Sequence, residues 1–222
     1  MRFSLVLAGI ALPIVTLAVP TTHSRYSRLP GSLFVRQDNT SCNLAGTPQP
    51  ANALTPPTPD LSLVLIAQGV GTQNYSCAAA NSTPTAIGAV ASLFNISCAV
   101  AEGTLGSINE DAAAIGAHFF VDATTPEFDI IGLGNTLAKK VENVTAPTAG
   151  NVPWLRLEAQ AEGTTSAVRQ IYRLNTEGGV APSTCADAAA GETVTVQYKA
   201  EYWIYACTKT MKKLREKHRL TV

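Results

Sequence analysis

The stretch "TVTVQYKAEYWIY", residues 193–205, decides the fold class. Val194, Val196, Tyr198, Ala200, Tyr202 and Ile204 fall on one parity, and Thr195, Gln197, Lys199 and Glu201 on the other. Alternation with period two is the mark of a strand with one dry and one wet face, and antiparallel sheets are where such strands occur. A helix would need apolar residues three and four apart. The same pattern recurs upstream. In "PWLRLEAQA" (153–161), Leu155, Leu157, Ala159 and Ala161 alternate with Arg156, Glu158 and Gln160. "AVRQIYRLN" (167–175) follows across the turn-like Glu162-Gly163-Thr164-Thr165, and the two segments read as a hairpin.

Working further back, "GAHFFVD" (116–122) predicts another strand, with Ala117, Phe119 and Val121 inward. "LSLVLIAQ" (61–68) reads as a strand buried on both faces. "TAIGAVASLFNIS" (85–97) is open between helix and strand, because alanine favours the first while Val90 and Phe94 suit the second. "INEDAAAIG" (108–116) predicts a short helix capped by Asn109. The sum is an all-β or β-rich fold: one domain, a sandwich or a partly closed barrel, with one or two short helices.

The ends set the expected compartment. Residues 1–18 form a signal peptide by pattern: Arg2, an uncharged run broken by Pro13, and small residues Thr16 and Ala18 before the cut. The run falls short of the ~20 apolar residues of a membrane span. Residues 19–36 read as a pro-segment trimmed after Arg36 or as a disordered arm. Residues 37–60 hold five prolines and are expected to be extended. The β-rich domain takes 61–206, and 207–222 is a basic tail.

Formal net charge is zero, yet between Gln37 and Cys207 six basic residues face fifteen acidic ones. A body this acidic repels phosphate backbones and anionic membrane surfaces, so nucleic acid is not an expected partner. Five cysteines in an exported chain predict disulfides plus one extra thiol. Cys42, Cys77, Cys98 and Cys185 are the candidates, with Cys77–Cys98 and Cys42–Cys185 the favoured pairing. Sequons at Asn39, Asn74, Asn81, Asn95 and Asn143 predict glycosylation at the surface.

Two glycine pairs raise the question of a dinucleotide. "GVGTQNYSC" (69–77) follows an apolar strand, and "FDIIGLGNTLAKKV" (128–141) has a stretch after it with the look of a helix start. A dinucleotide fingerprint needs a third glycine and a helix whose N-terminus holds the pyrophosphate. The third positions are Asn74 and Leu137, and sequons occupy both following segments. No NAD or other cofactor is expected, and the glycines are assigned to turns, bulges and close approaches.

Other chemistries find little support. H-E-x-x-H and G-x-S-x-G are absent, and the body has the single histidine His118, so no metal site is expected. Asp122, Glu127 and Asp129 cluster in "VDATTPEFD", the only hint of a carboxylate pair for glycoside hydrolysis. Trp154, Trp203, Tyr202 and Tyr205 offer aromatics for sugar stacking, although aromatics in strands more often form core. The candidate ligand site is His118 with Phe120 and Asp122, on the parity that period two turns away from the core.

"GVGTQNYSC", "GAHFFVDATTPEFDI", "VPWLRLEA", "IYRLNTEGGVAP" and "VQYKAEYWIY", in this order, resemble a family of small exported proteins, mainly fungal with bacterial relatives, classed as a domain of unknown function. Its fungal members often carry a malate dehydrogenase label, for which these residues give no physical basis. The resemblance spans residues 42–206 and implies a β-rich secreted domain, with no established activity, substrate or catalytic residue. Such proteins end just after the strand matching "AEYWIY". Here residues 208–222 continue with six basic residues and one acidic, either a tail for anionic surfaces or translated non-coding sequence. The expected function is binding at a cell wall or host surface, with wall polysaccharide as a candidate partner. A carbohydrate-active hydrolase using carboxylates is the alternative, and an NAD-dependent malate dehydrogenase is disfavoured. No catalytic residue is assigned.

Overall fold

In the computed structural model, which describes residues 42–105, 113–186 and 188–207, the chain forms eight strands and one short helix. The strands are β1 (Leu61–Ser76), β2 (Thr85–Asn95), β3 (Gly116–Asp122), β4 (Thr125–Ile130), β5 (Gly134–Val144), β6 (Trp154–Ala159), β7 (Val168–Gly178) and β8 (Thr193–Cys207); α1 is Ser97–Ala101. Each strand pairs antiparallel with its sequence neighbour, and β8 pairs with β1. The sheet therefore closes completely. Of the two expected forms it is the barrel, with every strand partnered on both sides, although β2 and β3 share only the short ladder from Ala91↔His118 to Leu93↔Gly116.

Closure relies on long, bent strands. The β1–β8 ladder runs from Leu61↔Cys207 to Ser76↔Thr193. Register shifts at Leu63/Leu65, Asn74/Tyr75, Lys140/Glu142 and Leu174/Glu177 mark the bulges that bend it. "TAIGAVASLFNIS" resolves as β2 followed by the start of α1. The helix-like "NTLAKKVEN" is β5: its alternation of Thr136 and Ala138, both buried, with exposed Lys139 overrides its helix propensity. The helix expected at "INEDAAAIG" falls largely in residues 106–112, outside the described residues, as do the expected signal peptide over 1–18, residues 19–36, Asn39 and the 208–222 tail.

Two hydrophobic clusters divide the molecule. One fills the barrel interior, with Leu65, Leu93, Phe128, Ile130, Ile171 and Ile204. The other lies on the outer wall, where Ile66, Tyr172, Trp203 and Tyr205 pack with Leu54. The wet face expected for β8 is thus real only in its first half. From Ala200 to Ala206 every residue is buried, because the proline-rich segment covers the outer wall. Tyr172 Oη donates to the carbonyl of Thr55 at 2.8 Å, and the Thr55 amide donates to the Glu142 carboxylate at 3.0 Å.

The disulfides correct the expected pairing. They are Cys42–Cys98 and Cys77–Cys185, and Cys207 is the free thiol. The reason is the direction of the strands. Cys77 follows the end of β1, whereas Cys98 lies beyond the far end of the 11-residue antiparallel β2. The two are separated by roughly 30 Å of barrel height at the usual strand rise, and a disulfide tolerates at most about 7 Å between Cα atoms. Cys42–Cys98 instead pins the covering segment to α1, and Cys77–Cys185 pins the β7–β8 connection at the opposite end.

Candidate cavity in the open end of the barrel

The end of the barrel nearest Cys77 is not filled. Small residues on β1 and β2 (Gly69, Gly71, Ala89, Ala91) let neighbouring groups approach closely just below it. Gly69 makes room for Tyr202: a methyl group there would come within 2.5 Å of Tyr202 Cε2. Gly88, at φ 128°, lies against Phe120 in the same way, with a methyl 2.7 Å from the ring. A cavity of about 630 Å³ opens at this end, with Gly88 and Phe120 in its lining.

Its walls are largely apolar, formed by Phe120, Val152, Leu155 and Leu157 among others. Its polar groups converge from four strands. His118 comes from β3, Arg173 from β7, Tyr202 from β8 and Tyr75 from β1. Arg173 and Tyr202 are directly paired across β7 and β8. Arg173 is only 8% exposed, and its Nη2 and Nε donate to the Pro153 carbonyl at 2.8 and 3.3 Å. The Tyr202 and Tyr198 hydroxyls hydrogen-bond at 2.9 Å. Burial raises the pKa of Tyr202 well above the ordinary phenol value, and it raises that of Tyr75 as well. Both remain neutral hydroxyls at physiological pH.

His118 is 3% exposed and stacks on Phe128 at 4.2 Å, with the Tyr202 ring edge-on at 5.3 Å. Its Nδ1 lies 2.9 Å from the Glu127 carbonyl oxygen. A carbonyl only accepts, so Nδ1 carries the proton. Desolvation lowers the His118 pKa to about 4, with the Arg173 charge adding to it and the Glu127 hydrogen bond opposing it. The ring is neutral at pH 7 and presents Nε2 as an acceptor.

The predicted trio is therefore split, and its orientation is corrected. His118 and Phe120 line the cavity, pointing into the barrel, while Ala117, Phe119 and Val121 lie on the outer parity. Val121 is 52% exposed. Asp122 lies beyond a register shift, outside the cavity, where its Oδ1 accepts from the Thr124 and Thr125 amides and holds the β3–β4 turn. Period two is obeyed, but the assumption that apolar means inward fails where the interior is a partly polar chamber. Sequence reasoning misses Arg173, Tyr75 and Gln73 as site residues, and of its four stacking aromatics only Tyr202 lines the cavity. A signal for Arg173 exists: it stands two residues after Ile171, on the inward parity of β7, where a charge is out of place.

The other candidates disperse. Glu127 Oε1 accepts from Asn135 at 2.5 Å, Asp129 is exposed, and neither lines the cavity with Asp122. Trp154, Trp203 and Tyr205 are buried in the outer cluster, so they offer no stacking face. Trp203 Nε1 donates to Glu201 at 2.9 Å. The first glycine pair lies inside β1, which continues to Ser76, and Gly132 and Gly134 form the β4–β5 turn at φ 81° and 90°. A strand, not a helix, follows each. Among the described residues no group of three His, Cys, Asp or Glu is placed to hold a metal. Of the sequons, Asn81, Asn95 and Asn143 are exposed and Asn74 is half-buried.

Comparison with curated proteins and with solved structures finds no significant match. Residues 57–206 match one family, and that span holds all eight strands except the final residue of β8, together with every cavity-lining side chain named above. The chain belongs to the DUF3455 family, proteins of unknown function.

Proposed function

We propose that the protein is a secreted, glycosylated binding protein that takes a small organic molecule into the open end of its barrel. The observation that carries this reading is the cavity of about 630 Å³. That volume falls within the roughly 300–1,000 Å³ of small-molecule sites, and apolar walls with a few convergent polar groups are their usual construction. Binding is favoured over hydrolysis because no Asp or Glu is among the described residues lining the cavity. Paired-carboxylate chemistry has no acid or base there. If the partner belongs to a cell wall or host surface, a small molecule or a chain end fits this chamber better than the flank of a polysaccharide.

A neutral fluorescent probe tests the reading without presuming a ligand. N-phenyl-1-naphthylamine titrated into the folded protein should give a saturable, one-site fluorescence increase. Ala86→Trp, placed in the lining, should abolish it without lowering the melting temperature by more than a few degrees. A linear, non-saturating response in the wild type, or full binding by Ala86→Trp, would overturn the assignment.

A further inference from the structure

We infer that the cavity selects organic anions, with the Arg173 guanidinium as the counter-charge for a ligand carboxylate and the apolar walls holding the rest of the molecule. This rests on the binding reading above and adds the chemical class of the ligand. Three observations carry it.

First, charge is concentrated where the body as a whole would not put it. Between Gln37 and Cys207 there are six basic residues against fifteen acidic. Three of the six, Lys139, Lys140 and Arg173, line this one cavity, and no acidic residue does among the described residues. In an acidic protein a wholly cationic chamber is an electrostatic well for anions.

Second, Arg173 is buried against a carbonyl where a carboxylate would be expected. Arg156, by contrast, forms ion pairs with Glu142 and Glu158. Arg173 has the Pro153 carbonyl, a dipole that fixes the guanidinium and leaves its charge uncompensated. Burying a charge is costly unless an opposite charge meets it, and a guanidinium fork matches a carboxylate with two parallel hydrogen bonds. Gln73, also in the lining, brings its buried Nε2 to the same wall beside the Tyr198 hydroxyl, a second donor there.

Third, the remaining polar groups bring no negative charge to Arg173; Tyr202, which hydrogen-bonds it, does so as a neutral hydroxyl. His118 is neutral and the tyrosines are neutral hydroxyls, so a single fixed positive charge faces the interior from β7. Lys139 and Lys140, both exposed, stand on β5 where they can draw an anion inward. The walls of Phe120, Val152, Leu155 and Leu157 exclude small, fully hydrated inorganic ions in favour of a carboxylate on an apolar body.

The test compares a charged and a neutral ligand of one shape. 1-Naphthylacetate and 1-naphthaleneacetamide share a skeleton and differ in charge. Displacement of N-phenyl-1-naphthylamine from the wild type should favour the carboxylate by tenfold or more. Arg173→Met should erase that preference while the neutral probe still binds, and Arg173→Lys should retain part of it. Equal affinities for the carboxylate and the amide in the wild type would overturn the inference, as would a preference that survives Arg173→Met. Should Arg173→Met fold poorly, the wild-type ratio alone decides. Failure of the neutral probe to bind at all would instead strike the binding reading on which the inference stands.

Discussion

The ring of Tyr202 occupies the space that a side chain at Gly69 would fill: a methyl carbon on Gly69 would lie 2.5 Å from Cε2. Tyr202 is fully buried and its hydroxyl is tied to Tyr198, so the ring can yield only by giving up that hydrogen bond and shifting into the cavity. Gly69→Ala should therefore destabilise the barrel by about 1–3 kcal/mol, the usual cost of overpacking a filled site. Urea unfolding measures it. A variant as stable as the wild type would mean that the ring moves into the cavity, which would then be smaller.

Acid should weaken the fold through His118. Its folded pKa is about 4 against an ordinary value of 6.5, so the folded state resists the proton that the unfolded chain accepts. Stability from this source is complete above pH 6.5, declines as pH falls through the window, and is exhausted below about 4. The Arg173 charge from β7 acts in the same direction, and the neutral Tyr202 from β8 offers the ring no compensating charge. The full loss is about 3 kcal/mol at 1.36 kcal/mol per pKa unit. Unfolding free energies of wild type and His118→Gln at pH 7, 5.5 and 4 should converge by that amount. Parallel curves would show that the ring titrates normally.

How much of this the sequence discloses depends on which face a residue occupies. Alternation in 193–205 and in "PWLRLEAQA" is local, and it yields β8 and β6 directly. Closure is not local: nothing in Leu61 or Cys207 announces that they pair. The face of β3 reads the wrong way round for a physical reason. A strand wall of a chamber can carry His118 inward and Val121 outward when the inside holds an open, partly polar cavity and the outside a half-exposed surface. Arg173 becomes legible only once the cavity is known, since an inward charge makes sense where a space can receive its partner. The disulfides need strand direction, which cysteine spacing does not contain.

Loss of the Cys77–Cys185 bridge should cost about 5 kcal/mol on the chain-entropy account, given its separation of 108 residues. The effect should appear first at the cavity end, where the bridge holds the β7–β8 connection. Backbone hydrogen bonds from Cys77 to Glu192 and from Cys185 to Ser82 lie in the same region. In the Cys77→Ser/Cys185→Ser protein, hydrogen exchange should accelerate around residues 75–86 and 179–193 before it does so in β4 or β5. Uniform acceleration throughout the barrel would mean that the bridge acts on the unfolded chain alone. A non-reducing digest recovering a Cys77–Cys98 peptide would reject the pairing itself.

Asn143 is the sequon with a consequence for binding. It is exposed, it lines the cavity on β5, and it follows Lys139 and Lys140 towards the strand end. Asn81 and Asn95 are also exposed, but neither contributes to the lining. A glycan on Asn143 would stand at the rim, narrowing the approach without touching the groups that hold a ligand inside. It should slow association and dissociation by similar factors and leave the equilibrium affinity nearly unchanged, because an obstacle passed in both directions alters the barrier and not the end states. Stopped-flow mixing of N-phenyl-1-naphthylamine with secreted protein, before and after enzymatic removal of N-glycans, reads both rates, and Asn143→Gln isolates the position. Rates unchanged by Asn143→Gln in a protein whose Asn143 peptide carries a glycan would show that ligand enters elsewhere. A peptide mass with no glycan at Asn143 would remove the rim from consideration.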